Sequence, residues 1–350
     1  MRFSAQHEQV WAHPAVHRIR LPFTNLGKGD VNVHVVHDAG EWLVVDAGAP
    51  GVAAQRALRG ALADLGVDFD ACQVFLTHAH FDHAGLLGAV VPQHVPVLLS
   101  ERAFRSRQPA AQREAQALFA RRMRAFGVPF DDACAYTACN AEMVMLPPER
   151  FAYRFVGEGD AVRVGRFTFR VLETPGHTRD HLCLHEPDAG LLFGGDHVLF
   201  TVTPAIEAFP GAEDGLACYE RSLARVGALP LRAAFPGHGD PQLAADDPRP
   251  LLQTRALAIA TRKRRHCEAV AATLRELAGE ASAVRGVTGE TLAARALAHA
   301  NPQQWRALAP FTRYYFLLEA FVCLQHLCAQ GVAERIWDDE LSVWCFIPRG

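Results

Sequence analysis

Thr77-His78-Ala79-His80-Phe81-Asp82-His83 places three histidines and an aspartate within six residues. The segment follows the apolar run Val74-Phe75-Leu76 and precedes Gly85-Leu86-Leu87-Gly88, so it sits where a strand ends and a helix begins. His78 and His80 are two apart, and in extended chain their side chains leave the same face. Asp82 and His83 then turn away with the backbone. One short loop can therefore give two ligands to each of two neighbouring metal ions, and imidazole nitrogen with carboxylate oxygen suits zinc and similar first-row metals. A surface turn with clustered histidines would bring no matching ligands further along the chain.

This chain brings three more. Glu173-Thr174-Pro175-Gly176-His177-Thr178 uses proline and glycine to make a sharp turn that projects His177 from a strand end. The apolar strand Leu191-Leu192-Phe193 ends in Gly194-Gly195-Asp196-His197, and the two oxygens of Asp196 suit it to bridge two metals. Ala233-Ala234-Phe235 runs into Pro236-Gly237-His238-Gly239-Asp240, which delivers His238 by the same device as His177. His181 opens the strand Leu182-Cys183-Leu184 and reads as structural rather than as a ligand. His197 reads either as outer support or as a residue without a role. Asp46, at the end of Trp42-Leu43-Val44-Val45, is either a cap or loop brace, or an acceptor for the N–H of a ligating histidine.

Around these loops the pattern is α/β. Val31–Val36 and Trp42–Val45 flank a hairpin turn at Asp38-Ala39-Gly40-Glu41. Residues 52–65 form an amphipathic helix broken by Gly66, and strands are predicted at 73–76, 95–99 and 161–172. Residues 101–126, within an insertion spanning about 101–150, are alanine-rich and helical. They carry seven arginines against two glutamates, a local charge of +5. This is either a solvated face or a lid whose arginines hold an anionic substrate. Cys134 and Cys139 beyond it read as packing thiols. A helix spans 214–227, and the loop Thr201–Ile206 after Asp196 shares with the insertion the task of specificity.

The chain of 350 residues is long for one core, which predicts a domain at 1–248 and another at 249–350. A net charge of −3 excludes a globally basic nucleic-acid binder. Nine dispersed cysteines without a Cys-x-x-Cys pair fit a reducing compartment. With no signal-like N-terminus and no run of 18 apolar residues, the expected location is the cytoplasm, with no membrane partner. In the last third a long helix spans 249–279 and carries Arg262-Lys263-Arg264-Arg265. A second helix is capped at Thr288-Gly289-Glu290, and a third runs from about Thr312 to Gln330. A hairpin turns at Asp338-Asp339-Glu340. The four cations form a solvated face, an anion site or a nucleic-acid contact. The third helix is apolar almost all round, so it should be buried and should not read DNA. Packing, a homodimer contact or a substrate wall suits it better.

Taken together, Val-Val-Asp46-Ala-Gly, Thr-His78-Ala-His80-Phe-Asp82-His83, Pro-Gly-His177-Thr, Gly-Gly-Asp196-His and Pro-Gly-His238-Gly resemble the motifs of the metallo-β-lactamase fold superfamily, over residues 16–245. The resemblance implies a four-layer αββα sandwich with two metals at one edge. His78, His80 and His177 would hold the first metal, Asp82, His83 and His238 the second, and Asp196 would bridge. Zinc is the first choice, with iron and manganese as alternatives. The implied chemistry is attack by a metal-bridging hydroxide, with Asp82 steering it or passing a proton to the leaving group. Zinc β-lactamases of the best-known type carry a cysteine where Asp196 stands, and flavodiiron proteins a glutamate where His80 stands. Hydroxyacylglutathione hydrolases have Pro-Gly-His-Glu-Tyr where this chain has Pro-Gly-His-Gly-Asp. The helical tail is similar to the branch with a C-terminal winged helix, which includes a single-strand endoribonuclease and polyketide thioesterases. The expected enzyme is thus a dinuclear hydrolase of a thioester or ester on a small anionic molecule. The alternative is a metal-dependent single-strand RNA endonuclease.

Overall fold

The computed structural model describes residues 7–23, 30–137, 150–207, 214–243, 249–280 and 286–349. Cys139, the side chain of Cys134 and the last part of the insertion lie outside the described residues. The chain divides into two compact units.

The first unit comprises the described parts of Met1–Gln112, Ala141–Pro204 and Ser222–Ala256. Its N-terminal sheet begins as an antiparallel meander of β1 (His7–Trp11), β2 (Ala15–Leu21), β3 (Val31–Asp38) and β4 (Glu41–Val45). Ala39 and Gly40 both have positive φ, 51° and 85°, as a two-residue hairpin loop requires. Helix α1 (Val52–Asp64) then packs back on the sheet. The chain adds β5 (Cys72–Phe75), β6 (Pro96–Leu99) and β7 (Ala152–Phe155) in parallel, giving the order β1-β2-β3-β4-β5-β6-β7. The single-turn helices α2 (Phe81–Ala84) and α3 (Leu87–Val90) lie between β5 and β6.

The second sheet of this unit is β13-β12-β11-β10-β9-β8, from β8 (Ala161–Val164), β9 (Phe167–Glu173), β10 (Leu182–Glu186), β11 (Leu191–Gly195), β12 (Ala233–Pro236) and β13 (Gln242–Leu243). Within it β11 and β12 pair in parallel and the other neighbours antiparallel. Val36, Leu43, Val45, Phe75 and Leu98 of the first sheet meet Phe169, Val171, Leu184, Phe193 and Phe235 of the second in one core. The other face of the first sheet packs on Leu58 and Leu62 of α1 and on Leu87 of α3. Strands β10, β11 and β12 are buried at every residue, which needs a covering layer on both faces. The architecture is the four-layer αββα sandwich.

The expected helix over 101–126 is in fact two, α4 (Glu101–Ser106) and α5 (Pro109–Ala125). Pro109 has no N–H to continue the ladder and disfavours helical backbone at Gln108, so the chain turns at Arg107.

The second unit comprises the described parts of Arg113–Asn140, Ala205–Arg221 and Leu257–Gly350. It holds most of α5, α6 (Phe130–Thr137), the first part of α7 (Gly215–Gly227) and most of α8 (Arg249–Glu280). Then follow α9 (Gly289–Leu292), a π-helical turn at Ala293–Leu297, α10 (Pro302–Ala307) and α11 (Pro310–Ala329). A small sheet orders β14 (Val287–Thr288), β16 (Val343–Pro348) and β15 (Ala333–Asp338) as β14-β16-β15. No residue of α11 from Phe311 to Cys328 is exposed.

The run Arg262-Lys263-Arg264-Arg265 does not form one cationic face. Successive helical residues point about 100° apart, so four in a row surround the axis. Lys263 is fully buried, its Nζ 2.6 Å from Glu319 Oε2, and His266 Nδ1 lies 3.0 Å from Glu319 Oε1. Arg264 donates to Glu220 at 2.7 Å.

Candidate metal centre

The site lies wholly in the first unit, at the C-terminal ends of strands from both sheets. β5 is held between β4 and β6, and the chain leaves it at Leu76, whose N–H donates to Leu98 O at 2.9 Å. The backbone stays extended through His80 (φ −67°, ψ 151°) and then winds into α2. The amides of His83 and Ala84 both donate to His80 O. This change of conformation sends His78 and His80 one way and Asp82 and His83 another.

From the second sheet, β9 leads into the Pro175-Gly176-His177 turn, closed by a Gly176 N–H to Thr178 O bond of 3.0 Å. β11 ends at Gly195, whose φ is +46°. A Cβ there would lie 2.6 Å from Thr77 Oγ1 and 2.8 Å from His181 Nε2. β12 leads to Gly237, where a Cβ would fall 2.5 Å from Asp196 Oδ1 and 2.6 Å from His83 Cε1. Glycine at these two positions is what lets the loops of the two sheets close on one another.

All seven predicted residues meet. His80 Nδ1 is 3.1 Å from His177 Nε2. Asp196 Oδ1 is 3.5 Å from His83 Nε2, and its Oδ2 is 3.6 Å from both His177 Nε2 and His238 Nε2. His238 Nε2 is 3.4 Å from Asp82 Oδ2. The donors form three overlapping groups, His78/His80/His177, His78/His83/Asp196 and Asp82/His83/His238, with ligand atoms in each within 4.8 Å of one another. Donors bound tetrahedrally at the usual zinc–nitrogen distance lie about 3.3 Å apart, close to these spacings. Five buried atoms, His78 Nε2, Asp82 Oδ1, His83 Nε2, Asp196 Oδ1 and His238 Nε2, make no hydrogen bond. Buried polar atoms are ordinarily satisfied, so a convergent set without partners is the arrangement that fits cations.

Neighbouring groups set the tautomers. Asp46 accepts from Thr77 N–H at 2.8 Å, from Thr77 Oγ1 at 2.9 and 3.0 Å, and from His83 Nδ1 at 2.8 Å. That leaves the lone pair of His83 on Nε2, facing the site. Asp46 itself has φ +65°, a left-handed conformation its carboxylate contacts hold in place. Thr77 Oγ1 donates to Asp46 and accepts from His78 Nδ1 at 3.0 Å, which frees His78 Nε2. His238 Nδ1 donates to Asp30 O at 3.0 Å. Asn32 steadies the same loop by donating to Pro236 O at 2.9 Å and Gly239 O at 2.7 Å. His181 uses both nitrogens, Nδ1 with Thr174 Oγ1 at 2.8 Å and Nε2 accepting from Asp196 N–H at 3.2 Å. It offers no lone pair and instead aims the strand end that carries Asp196. His197 is buried and belongs to none of the three donor groups.

The pocket attracts positive charge, as protons or as cations. Burial, together with the surrounding imidazoles, lowers His78 and His80 well below the ordinary histidine value, so both keep lone pairs at neutral pH. Burial also opposes charge on Asp82 and Asp196, but the histidines around them outweigh it and keep both ionised. His83 and His238 feel the same burial. The carboxylates of Asp196 and Asp82, joined at His83 by Asp46, prevail and raise both. The pocket thus holds negative charge that protons would otherwise have to balance.

Arg107, at the turn between α4 and α5, is a further buried residue at the loop. Its Nε donates to Ala79 O at 3.1 Å, and it has no carboxylate partner among the described residues. Thr77, Asn32 and Arg107 are not legible as site residues in the sequence, because their roles are contacts across more than 25 positions. The proline at 109 is the one signal that marks the turn at Arg107.

Known proteins share this fold. A family model described as the metallo-beta-lactamase superfamily matches residues 26–238, and the chain belongs to that superfamily. A probable metallo-hydrolase of Bacillus subtilis, YqjP, is 35% identical over 233 residues, 64% of this chain and 71% of that protein. A crystal structure of a metallo-beta-lactamase family protein from Thermus thermophilus superposes with a TM-score of 0.72 at 25% identity, covering 95% of this chain and 98% of that one. A hydroxyacylglutathione hydrolase of Hydrogenovibrio crunogenus is 56% identical over 46 residues, 13% of this chain and 16% of that enzyme. The chain is a metal-dependent hydrolase of this superfamily, with His/Asp clusters able to bind metal ions.

Proposed function

We propose that the chain holds two divalent metal ions, zinc as first choice, and hydrolyses an ester or thioester of a small anionic molecule. His78, His80 and His177 hold one ion, Asp82, His83 and His238 the other, and Asp196 lies between. The observation that carries this reading is the convergence, in one cluster of imidazoles and carboxylates, of five buried donor atoms without hydrogen-bond partners. The metal pair, when bound, supplies Lewis acidity and a water acidified toward neutral pH. The chain supplies the rest. Asp82 is ionised and its Oδ1 makes no hydrogen bond, so it can orient the attacking water and carry a proton toward the leaving group. Arg107 gives the substrate's anionic group a buried guanidinium without a competing carboxylate among the described residues. The short likeness to a hydroxyacylglutathione hydrolase favours a thioester. No disulfide joins the seven described cysteines, which supports a reducing compartment such as the cytoplasm.

The RNA endonuclease reading draws less support, because Lys263 is not a surface cation. One screen separates the two. Metal-loaded protein is offered acyl-thioesters, carboxylic esters and lactones, a phosphodiester and single-stranded RNA, with and without chelator. The expected result is chelator-sensitive turnover of a thioester or ester, restored by zinc, abolished in Asp82→Ala and weakened mainly in KM by Arg107→Gln. Cleavage of RNA by a sample inert toward every acyl substrate would sink the proposal.

A further inference from the structure

The second unit holds an open pocket of about 420 Å³ that the hydrolytic site does not use. Small-molecule pockets start at roughly 300 Å³. Its walls come from α5 and the residue after it, from α11 and from β15 and β16. Phe321, Leu324 and Cys328 of α11 are i, i+3 and i+7, one face of the helix. Trp344 and Phe346 alternate on β16 and so share a face of the strand. Phe126, just after α5, closes the floor, its ring 5.2 Å from that of Phe321 and 5.9 Å from that of Phe346.

The wall is not uniformly apolar. Arg122 and Arg335 both line the pocket, and no carboxylate is among the lining residues. The guanidinium of Arg335 lies over Trp344, 4.4 Å from the ring centroid, and the residue is exposed. The neighbouring acid, Glu334, is occupied by Arg349 at 3.1 Å. Aromatic walls with the Arg335 guanidinium at their edge are the complement of an apolar body carrying a single negative head. A purely apolar ligand would leave Arg335 without an anion, and a free inorganic anion would leave the rings uncovered.

We propose that this pocket is a binding site for an amphipathic monocarboxylate, its hydrocarbon among Phe126, Phe321, Trp344 and Phe346 and its carboxylate at Arg335. The site shares no residue with the metal centre and does not depend on the hydrolytic reading. Cys328 gives it a reporter. This thiol lines the pocket and is partly accessible, and it is held above its ordinary pKa by burial, so a bound ligand covers a slow but alkylatable group.

The test uses the full metal-loaded chain with decanoate as probe and methyl decanoate as its neutral partner. Calorimetry gives stoichiometry and affinity, and peptide mass analysis follows alkylation of Cys328 by iodoacetamide. Decanoate should bind once per chain and slow Cys328 alkylation. Methyl decanoate should bind about tenfold or more weakly, as should decanoate to Arg335→Gln. Ala125→Trp, which places an indole in the pocket, should abolish binding. If that variant does not fold, the comparison of acid with ester and the Arg335→Gln result still decide. Equal binding of acid and ester would overturn the proposal, since Arg335 would then have no role. So would unchanged alkylation of Cys328 under saturating decanoate, or a chain that sediments as a dimer with Cys328 already protected, which would mean that a second copy covers this face.

Discussion

Replacing Asp46 by asparagine isolates one property of the metal loop, the proton on His83. Asparagine has the shape of aspartate and tolerates left-handed backbone, so the φ of +65° at this position costs no more than before. Its carbonyl must face the Thr77 N–H, which has to keep the acceptor it has at 2.8 Å. The amide nitrogen then faces His83 Nδ1, where the carboxylate oxygen now stands at 2.8 Å. Two donors cannot meet, so Nδ1 gives up its proton and Nε2 takes one. A protonated Nε2 has no lone pair for a metal and will donate to Asp196 Oδ1, 3.5 Å away. Restoring the binding tautomer means giving up one charge-assisted bond, about 1.5–3 kcal/mol. At about 1.4 kcal/mol per decade that is roughly tenfold to a hundredfold in affinity at the site containing His83, the range found when a metal ligand loses its outer hydrogen bond. The group His78/His80/His177 does not use His83, so it should still bind. Asp46→Asn should therefore carry one metal per chain under chelator competition where the wild type carries two. Wild-type affinity for both metals would refute the tautomer argument. Equal loss of both would show that the whole loop had moved.

Three further outcomes follow from the packing. Gly237→Ala, whose new Cβ would sit 2.5 Å from Asp196 Oδ1, should lose metal and activity together, and elemental analysis showing two metals per chain would mean that the loops separate at little cost. Lys263→Met leaves the buried carboxylate of Glu319 with His266 alone and should cost about 3–5 kcal/mol in urea unfolding, most of it recovered in Lys263→Met/Glu319→Leu. A cost below about 1 kcal/mol would show that the charge escapes to water. The same pair sets an acid limit. Burial pushes the Glu319 carboxyl up, but Lys263 and His266 outweigh it and hold it at about 2 against the usual 4.5. Its contribution is whole above 4.5 and is lost as pH falls toward 2, about 3 kcal/mol over that window. Lys263 is raised from 10.5, so its share is whole below 10.5 and lost only as pH rises through the higher folded value. A stability profile flat between pH 4.5 and 2 would contradict the assignment.

The metal loops are legible in the sequence because each joins an apolar strand to a glycine or proline turn, and those signals act within a few residues. His177 and His238 announce themselves in this way, as does the helix stop at Gly66. Contacts made through space leave no such trace. Asp46 can be read as a brace, but its partner Thr77 and the Asn32 clamp on the His238 loop cannot. Lys263 misleads for a different reason. Four adjacent cations read as a patch along the sequence, whereas a helix turns one of them into the core. Strand β7 hides because its residues are mostly exposed, which removes the apolar alternation. Helix α10 did carry a readable start, since Asn301-Pro302-Gln303-Gln304 is a capping box with proline at its first position.

The placement of one donor group on each of four strand ends has a consequence for the chain as it is made. His78 emerges from the ribosome 160 residues before His238. At about 5–20 residues per second, that interval lasts roughly ten to thirty seconds. During it the His78–His83 segment exists with its neighbours on β4 and β5 while the other ligands arrive in turn, His177 first, then Asp196, and His238 only at the end. A nascent chain is thus an incomplete chelator, and any metal it captures early is held by a partial set of ligands and can be exchanged. The identity of the ion in the finished protein is decided after residue 238 has been added, by what the surroundings then offer.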